Sequence, residues 1–169
     1  MKLLGMVLIV LAGLGCGLRI LGARRRHADM LRSCFDLVCR MEAELGSRAT
    51  ATPELLQLCS QQISGDAAAF CRLVGARMAA LGTLRFEQIW REGAKNALPQ
   101  LSKEEQREFC ELGTVLGRYA VEEQVAALER CRAYLDSRME WVWTRYLAER
   151  KLAMALPLSG ALFIILVLA

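Results

Sequence analysis

The 169-residue sequence predicts an all-α protein, a bundle of about six helices set between an N-terminal and a C-terminal transmembrane helix. Three observations predict it. Apolar residues make up 54% of the chain and collect at its two ends. Leu3–Leu18 and Leu152–Ala169 carry no charge, and nearly all charged side chains lie between them. Within that middle stretch apolar residues recur at helical spacing, and no window alternates as a strand does.

A spanning helix needs about 20 mostly apolar residues. Leu3–Leu21 fits, with Arg19 near its end, where the guanidinium can snorkel to the headgroups. Gly13 and Gly17 form a G-x-x-x-G pair suited to close helix approach. The second segment is 152–169, with Pro157 in its first turns. The domain boundaries that follow are a span at 1–22, a helical domain at 23–151 and a span at 152–169. Arg24, Arg25 and Arg26 follow the first span, and Arg150 and Lys151 precede the second. Positive charge stays inside, so the middle domain is expected in the cytoplasm. A cleaved signal peptide and a lipoprotein signal ending at Cys16 are the competing readings. Gly13-Leu14-Gly15 suits the second poorly, and both would export the arginine cluster.

The first helix of the domain is expected from about Arg24 to Leu45, with Leu31, Phe35, Val38, Met41 and Leu45 on one stripe and Gly46-Ser47 as its stop. Thr52-Pro53-Glu54 starts the second, with proline at the first position. It buries Leu55, Leu56, Cys59 and Ile63, and Ser64-Gly65-Asp66 breaks it. The third runs from about Asp66 to Leu81, with Phe70, Leu73, Val74 and Met78 inward. The fourth runs from about Leu84 to Asn96, with Phe86, Ile89 and Trp90 inward. Ser102-Lys103-Glu104-Glu105 is a capping box, and Leu101, Glu105, Phe109, Leu112 and Leu116 follow on one face. The last helix carries Val121, Val125, Leu128, Leu135, Met139, Val142 and Tyr146 on a seam that Arg132 interrupts. No breaker separates Val121 from Leu156, so it is expected to run unbroken into the second span. Of Trp141 and Trp143, two apart, one is expected inward and one outward.

Little here suggests chemistry. There is no P-loop, no G-x-S-x-G, no H-E-x-x-H, and one histidine, His27. The adjacent carboxylates Glu104-Glu105 and Glu122-Glu123 suit the helix dipole better than acid–base work. Seven cysteines without a C-x-x-C pair give no zinc spacing. They fit small core residues in a reducing compartment. No cofactor is expected. The net charge of +4 is modest and does not point to nucleic acid.

Gly113 and Gly117, four apart, are expected inside one helix, where each costs up to about 1 kcal/mol relative to alanine. Close packing against a neighbouring helix or a partner contact could offset that. With Leu116, Arg118, Tyr119 and Gln124 they are the candidate helix-packing or partner-binding residues. Arg24, Arg25, Arg26, Arg150 and Lys151 are the topology determinants.

The order of several fragments resembles the stage III sporulation protein AB family of spore-forming Firmicutes. The fragments are Lys2-Leu3-Leu4-Gly5, Leu31-Arg32, Met41-Glu42-Ala43-Glu44-Leu45, Thr52-Pro53, Trp90, Leu112-Gly113-x-x-Leu116-Gly117-Arg118-Tyr119, Gln124 and the Gly160-containing apolar tail. The family usually has an acidic residue where this chain has Ala120, which cannot cap the last helix. The resemblance implies a non-enzymatic platform in the mother-cell membrane around the forespore, within a secretion-like complex required for spore formation. It implies a domain similar to the F-type platform of type II secretion and type IV pilus machines. The implied partners are a cytoplasmic ATPase, stage III sporulation protein AA, the other members of the complex, membrane lipid and further copies of the chain. An adaptor at the membrane unrelated to transport, or an exported lipoprotein scaffold, is the alternative.

Overall fold

The computed structural model describes the backbone of residues 2–78 and 82–168, and the side chains of Arg19 and of residues 22–78 and 82–148. Six helices follow in chain order among the described residues: α1 (Lys2–Arg48), α2 (Thr52–Gln62), α3 (Asp66–Arg77), α4 (Phe86–Ala97), α5 (Lys103–Val115) and α6 (Val121–Leu168). The chain divides into two compact units, Asp29–Met139 and a second made of Met1–Ala28 with Glu140–Ala169. Apart from Arg19, the two spans expected at 3–21 and 152–169 fall outside the residues whose side chains are described. Among the described residues no helix is long and apolar enough to cross a membrane.

The unit 29–139 is an all-α bundle in which α2 packs on α3, α3 on α4, and α4 on α5. α1 contributes Leu31, Cys34, Leu37, Val38, Met41 and Leu45 to the core. Phe35, expected on that stripe, is only half-buried, because Cys34 and Leu37 take the inward direction. Gly46-Ser47 does not stop the helix. It continues to Arg48 and ends where Ala49 turns left-handed at φ 49°, its N–H donating to the Leu45 carbonyl. An α-helix accepts an occasional glycine at the cost of propensity alone.

α2 starts at Thr52, so Pro53 takes the second helical position and not the first as expected, and the helix buries Leu55, Leu56 and Cys59. It stops at Gln62, so Ile63 is the half-buried, extended residue after it rather than part of its face. Gly65, at φ 78°, turns the chain into α3, where Ala67, Phe70, Cys71 and Val74 are buried. Leu73 and Met78 are only partly covered. α3 ends at Arg77, and residues 79–81 of the longer expected helix lie outside the described residues. α4 begins at Phe86, two residues later than expected, leaving Leu84 exposed.

The core is centred on three rings. Phe70 meets Trp90 edge-on at 4.7 Å and Phe109 at 5.2 Å, while Trp90 and Phe109 stack at 5.5 Å. The buried Trp90 indole N–H donates to the Phe109 carbonyl at 2.9 Å, which satisfies its polar atom and ties α4 to α5.

The capping box at α5 is present on both sides. The Glu105 N–H donates to Ser102 Oγ at 3.3 Å, and the Ser102 N–H donates to Glu105 Oε2 at 2.8 Å. Leu101, Glu105, Phe109, Leu112 and Leu116 are all buried. A fully buried carboxylate needs a cation. Arg138 of α6 supplies it, its Nε donating to Glu105 Oε1 at 3.1 Å.

α6 runs unbroken from Val121 to Leu168. Leu128 and Leu135 fill its seam, and Arg132 is accommodated there by Glu42 of α1, with Nε 2.8 Å from Oε2. The N–H points off the line of a hydrogen bond, so this contact is an ion pair only.

In the second unit, Trp141 and Trp143 are both exposed, contrary to the expectation of one inward and one outward. Val142, between them, takes the buried direction. Residues flanking an inward position on a helix both point away from it. The Arg145 guanidinium sits 4.5 Å from the Trp141 ring centroid, and Trp143 lies 5.6 Å from Tyr146.

Candidate functional site

The candidate residues converge where α5 hands over to α6. Leu116 leaves the helical conformation at ψ 131° while its N–H still bonds the Leu112 carbonyl. Gly117 follows at φ 71°, a region open to glycine and strained for other residues. Gly117 therefore lies beyond the helix, which corrects the expectation that it shares one helix with Gly113. The glycine ends the helix instead of packing within it. A Cβ on Gly117 would also fall 2.9 Å from Thr52 Oγ1 at the start of α2, so conformation and close approach both select glycine.

Gly113 does sit in α5 and packs closely. A Cβ there would lie 2.6–2.8 Å from Cγ, Cβ and Cδ1 of Trp90. The missing side chain is what lets α4 and α5 approach. Of the two explanations the sequence leaves open for Gly113, helix packing is the one its surroundings carry.

Gln124, 7% exposed, holds the loop from α6. Its Oε1 accepts from the Gly117 N–H at 3.1 Å, and its Nε2 donates to the Tyr119 carbonyl at 2.7 Å. One amide thus satisfies a donor and an acceptor of the turn, beside the Arg118 N–H bond to the Val115 carbonyl at 3.2 Å. Ala120 stands at the N-cap position, its carbonyl accepting from the Glu123 and Gln124 N–H groups. It has no side-chain acceptor, so Gln124 orders the junction from inside the helix.

The clamped loop presents Arg118 and Tyr119. Tyr119 is 48% exposed, and the Arg118 guanidinium stands 5.8 Å from its ring centroid. Beside them runs a groove of about 500 Å³ lined by Leu45, Thr50, Thr52, Pro53, Phe86, Leu116 and Val121. A rigid backbone, an exposed aromatic and a neighbouring cation form a surface suited to binding. The arrangement offers no nucleophile–base pair. Among the described residues, no group of three or more His, Cys, Asp or Glu side chains could hold a metal ion.

Arg25 and Arg26 are exposed on α1 and Arg24 is partly covered, whereas the side chains of Arg150 and Lys151 lie outside the described residues. The described thiols are free. Burial pushes Cys59 up to about 11 and Cys71 and Cys131 up to about 12, and raises Cys34 and Cys110 as well. Sequence reasoning missed Arg138, whose partner Glu105 is 33 residues away. It also missed Thr52 as the group facing Gly117. Neither contact has a local signature.

A family model described as stage III sporulation protein AB matches residues 2–169. No curated protein matches the chain. A solved structure named stage III sporulation protein AB is 16% identical, covering 70% of this chain and 94% of its own length with a TM-score of 0.60. At that identity the likeness shows a shared fold.

Proposed function

We propose, from the premise that this chain belongs to the stage III sporulation protein AB family, that it is the membrane platform of a sporulation complex. Membership gives the chain a role in sporulation. The finer reading is a non-enzymatic scaffold anchored by spans at 1–22 and 152–169, with residues 23–151 in the cytoplasm. It sits in the mother-cell membrane around the forespore and works with further copies of itself. Its bundle docks the companion cytoplasmic ATPase, stage III sporulation protein AA, and couples it to the membrane members of the complex.

The observation that carries the reading is the family match over residues 2–169. The Gln124-clamped loop supports the docking part, because it offers Tyr119 and Arg118 on an ordered backbone. Two experiments test it. Deletion of the gene should stall sporulation after engulfment, and normal spore yield would refute the role. In a cysteine-free background, a reporter cysteine at the exposed Ser47 should resist an impermeant maleimide in intact cells and react after lysis. Labelling of intact cells would put the domain outside and end the ATPase reading.

A further inference from the structure

The α4–α5 hairpin carries a second surface on its outer side. A groove of about 550 Å³ runs between the two helices. Arg91 and Lys95 line it from α4, and Lys103 and Arg107 from α5, with Glu111 the one acidic residue on its walls. All four cations are exposed. Glu87 pairs with Arg91, and Glu108 lies 3.6 Å from Arg107, both at the surface where such pairs are weak. Lys95 and Lys103 have no ion pair among the described residues. The groove is therefore positive along both walls, and Cys110 forms part of its half-buried floor.

The walls are fixed before any partner arrives. The Trp90 indole N–H bonds the Phe109 carbonyl, and Gly113 seats the Trp90 ring, so α4 and α5 hold one spacing. The lining from Lys103 to Thr114 follows about 16 Å of α5, or three helical turns.

We propose that this groove docks an acidic amphipathic helix of another protein. Charge complementarity selects the sign: cations facing one another across a cleft demand carboxylates between them. Shape selects a helix, because a groove between two packed helices accepts a third along its length. A bilayer surface is flat and would meet a convex face rather than the walls of a cleft. Single-stranded nucleic acid would want aromatic side chains to stack on, and none lines this groove. The surface is separate from the Tyr119 loop and does not depend on what docks there.

The test places a photo-reactive benzoylphenylalanine at Gln106, on the groove wall, in the full chain expressed in sporulating cells. Mass spectrometry then maps the cross-linked peptide. The expected product joins Gln106 to an acidic, helix-periodic segment of another protein, and the yield falls about tenfold in Lys95→Glu/Lys103→Glu. Both lysines are exposed, and unchanged circular dichroism of the variant would confirm that its fold is intact. A cross-link to lipid, to a second copy of the chain or to a segment without acidic excess overturns the proposal. So does the absence of a cross-link, or a yield that ignores the charge reversal. Capture of the ATPase by Tyr119→Ala chains is read separately, so each proposal can fail alone.

Discussion

The Trp90 indole occupies the space that a side chain on Gly113 would need, its Cγ lying 2.6 Å from the Cβ position. The ring is itself fixed, hydrogen-bonded at Nε1 and stacked on Phe109. Relief through a flexible side-chain end is therefore closed.

Gly113→Ala should destabilise the chain despite the better helix propensity of alanine. Overpacking costs typically 1–3 kcal/mol, against a gain of about 1 kcal/mol in propensity. The clash falls on the root of the indole, so the upper part of the range applies, leaving a net loss of about 1–2 kcal/mol. Thermal unfolding of the full chain in detergent, followed by near-ultraviolet circular dichroism, should show the loss. Equal or higher stability would mean that the helices can part without penalty.

Arg138→Leu should leave the Glu105 carboxylate buried without its cation. Breaking a buried pair costs about 3–5 kcal/mol. The Arg138 side chain is 25% exposed, so water replaces part of the lost interaction and about 3 kcal/mol is expected. Removing both groups, as Glu105→Leu/Arg138→Leu, should restore part of it while losing the cap at Ser102. A urea-unfolding double-mutant cycle measures the coupling, and additive losses would show that the pair is not coupled.

Gln124→Glu should weaken the α5–α6 junction. The carboxylate can still accept from the Gly117 N–H, but it cannot donate to the Tyr119 carbonyl and sets oxygen against oxygen. An unmade buried hydrogen bond costs about 1–3 kcal/mol. Hydrogen exchange at Gly117 and the following residues should quicken, and under the proposed docking ATPase capture should fall with it. Unchanged exchange would remove the clamp from the account of the site.

Alkaline pH should destabilise the bundle through its thiols. Burial raises Cys59, Cys71 and Cys131 above their ordinary value of 9.0. Above that pH the unfolded chain loses these protons while the folded chain keeps them. The native state then binds more protons, so stability falls as pH rises. The contribution is complete below pH 9 and is lost between pH 9 and the folded values near 11 to 12. Urea midpoints across pH 8 to 11 check the sign, and a flat profile would contradict it. For the same reason thiol reagents should react slowly with these cysteines at neutral pH.

Local order was legible wherever a local pattern carried it. The capping box at Ser102, the apolar face from Leu101 to Leu116 and the unbroken run of α6 follow from propensity, capping and period, which act over a few residues. Boundaries were less legible. Gly46 looks like a stop but is helical, whereas Ala49 turns left-handed, because the end of α1 depends on where α2 must begin. Of the candidate site, the residues were visible as an unusual string, but their division of labour was not. Gly113 and Gly117 look alike at a spacing of four. Only the folded chain, with Trp90 against Gly113 inside α5 and Gly117 at φ 71° beyond its end, makes one a packing glycine and the other a turn.

By itself the sequence determined the all-α class, the helix order, the apolar ends and the family, since composition, period and fragment order are properties of the chain alone. Tertiary structure decided which groups distant in the chain meet. Arg138 with Glu105 and Glu42 with Arg132 are choices made by packing. A buried charge or amide takes whichever partner the folded chain brings within reach, and burial then penalises leaving it without one.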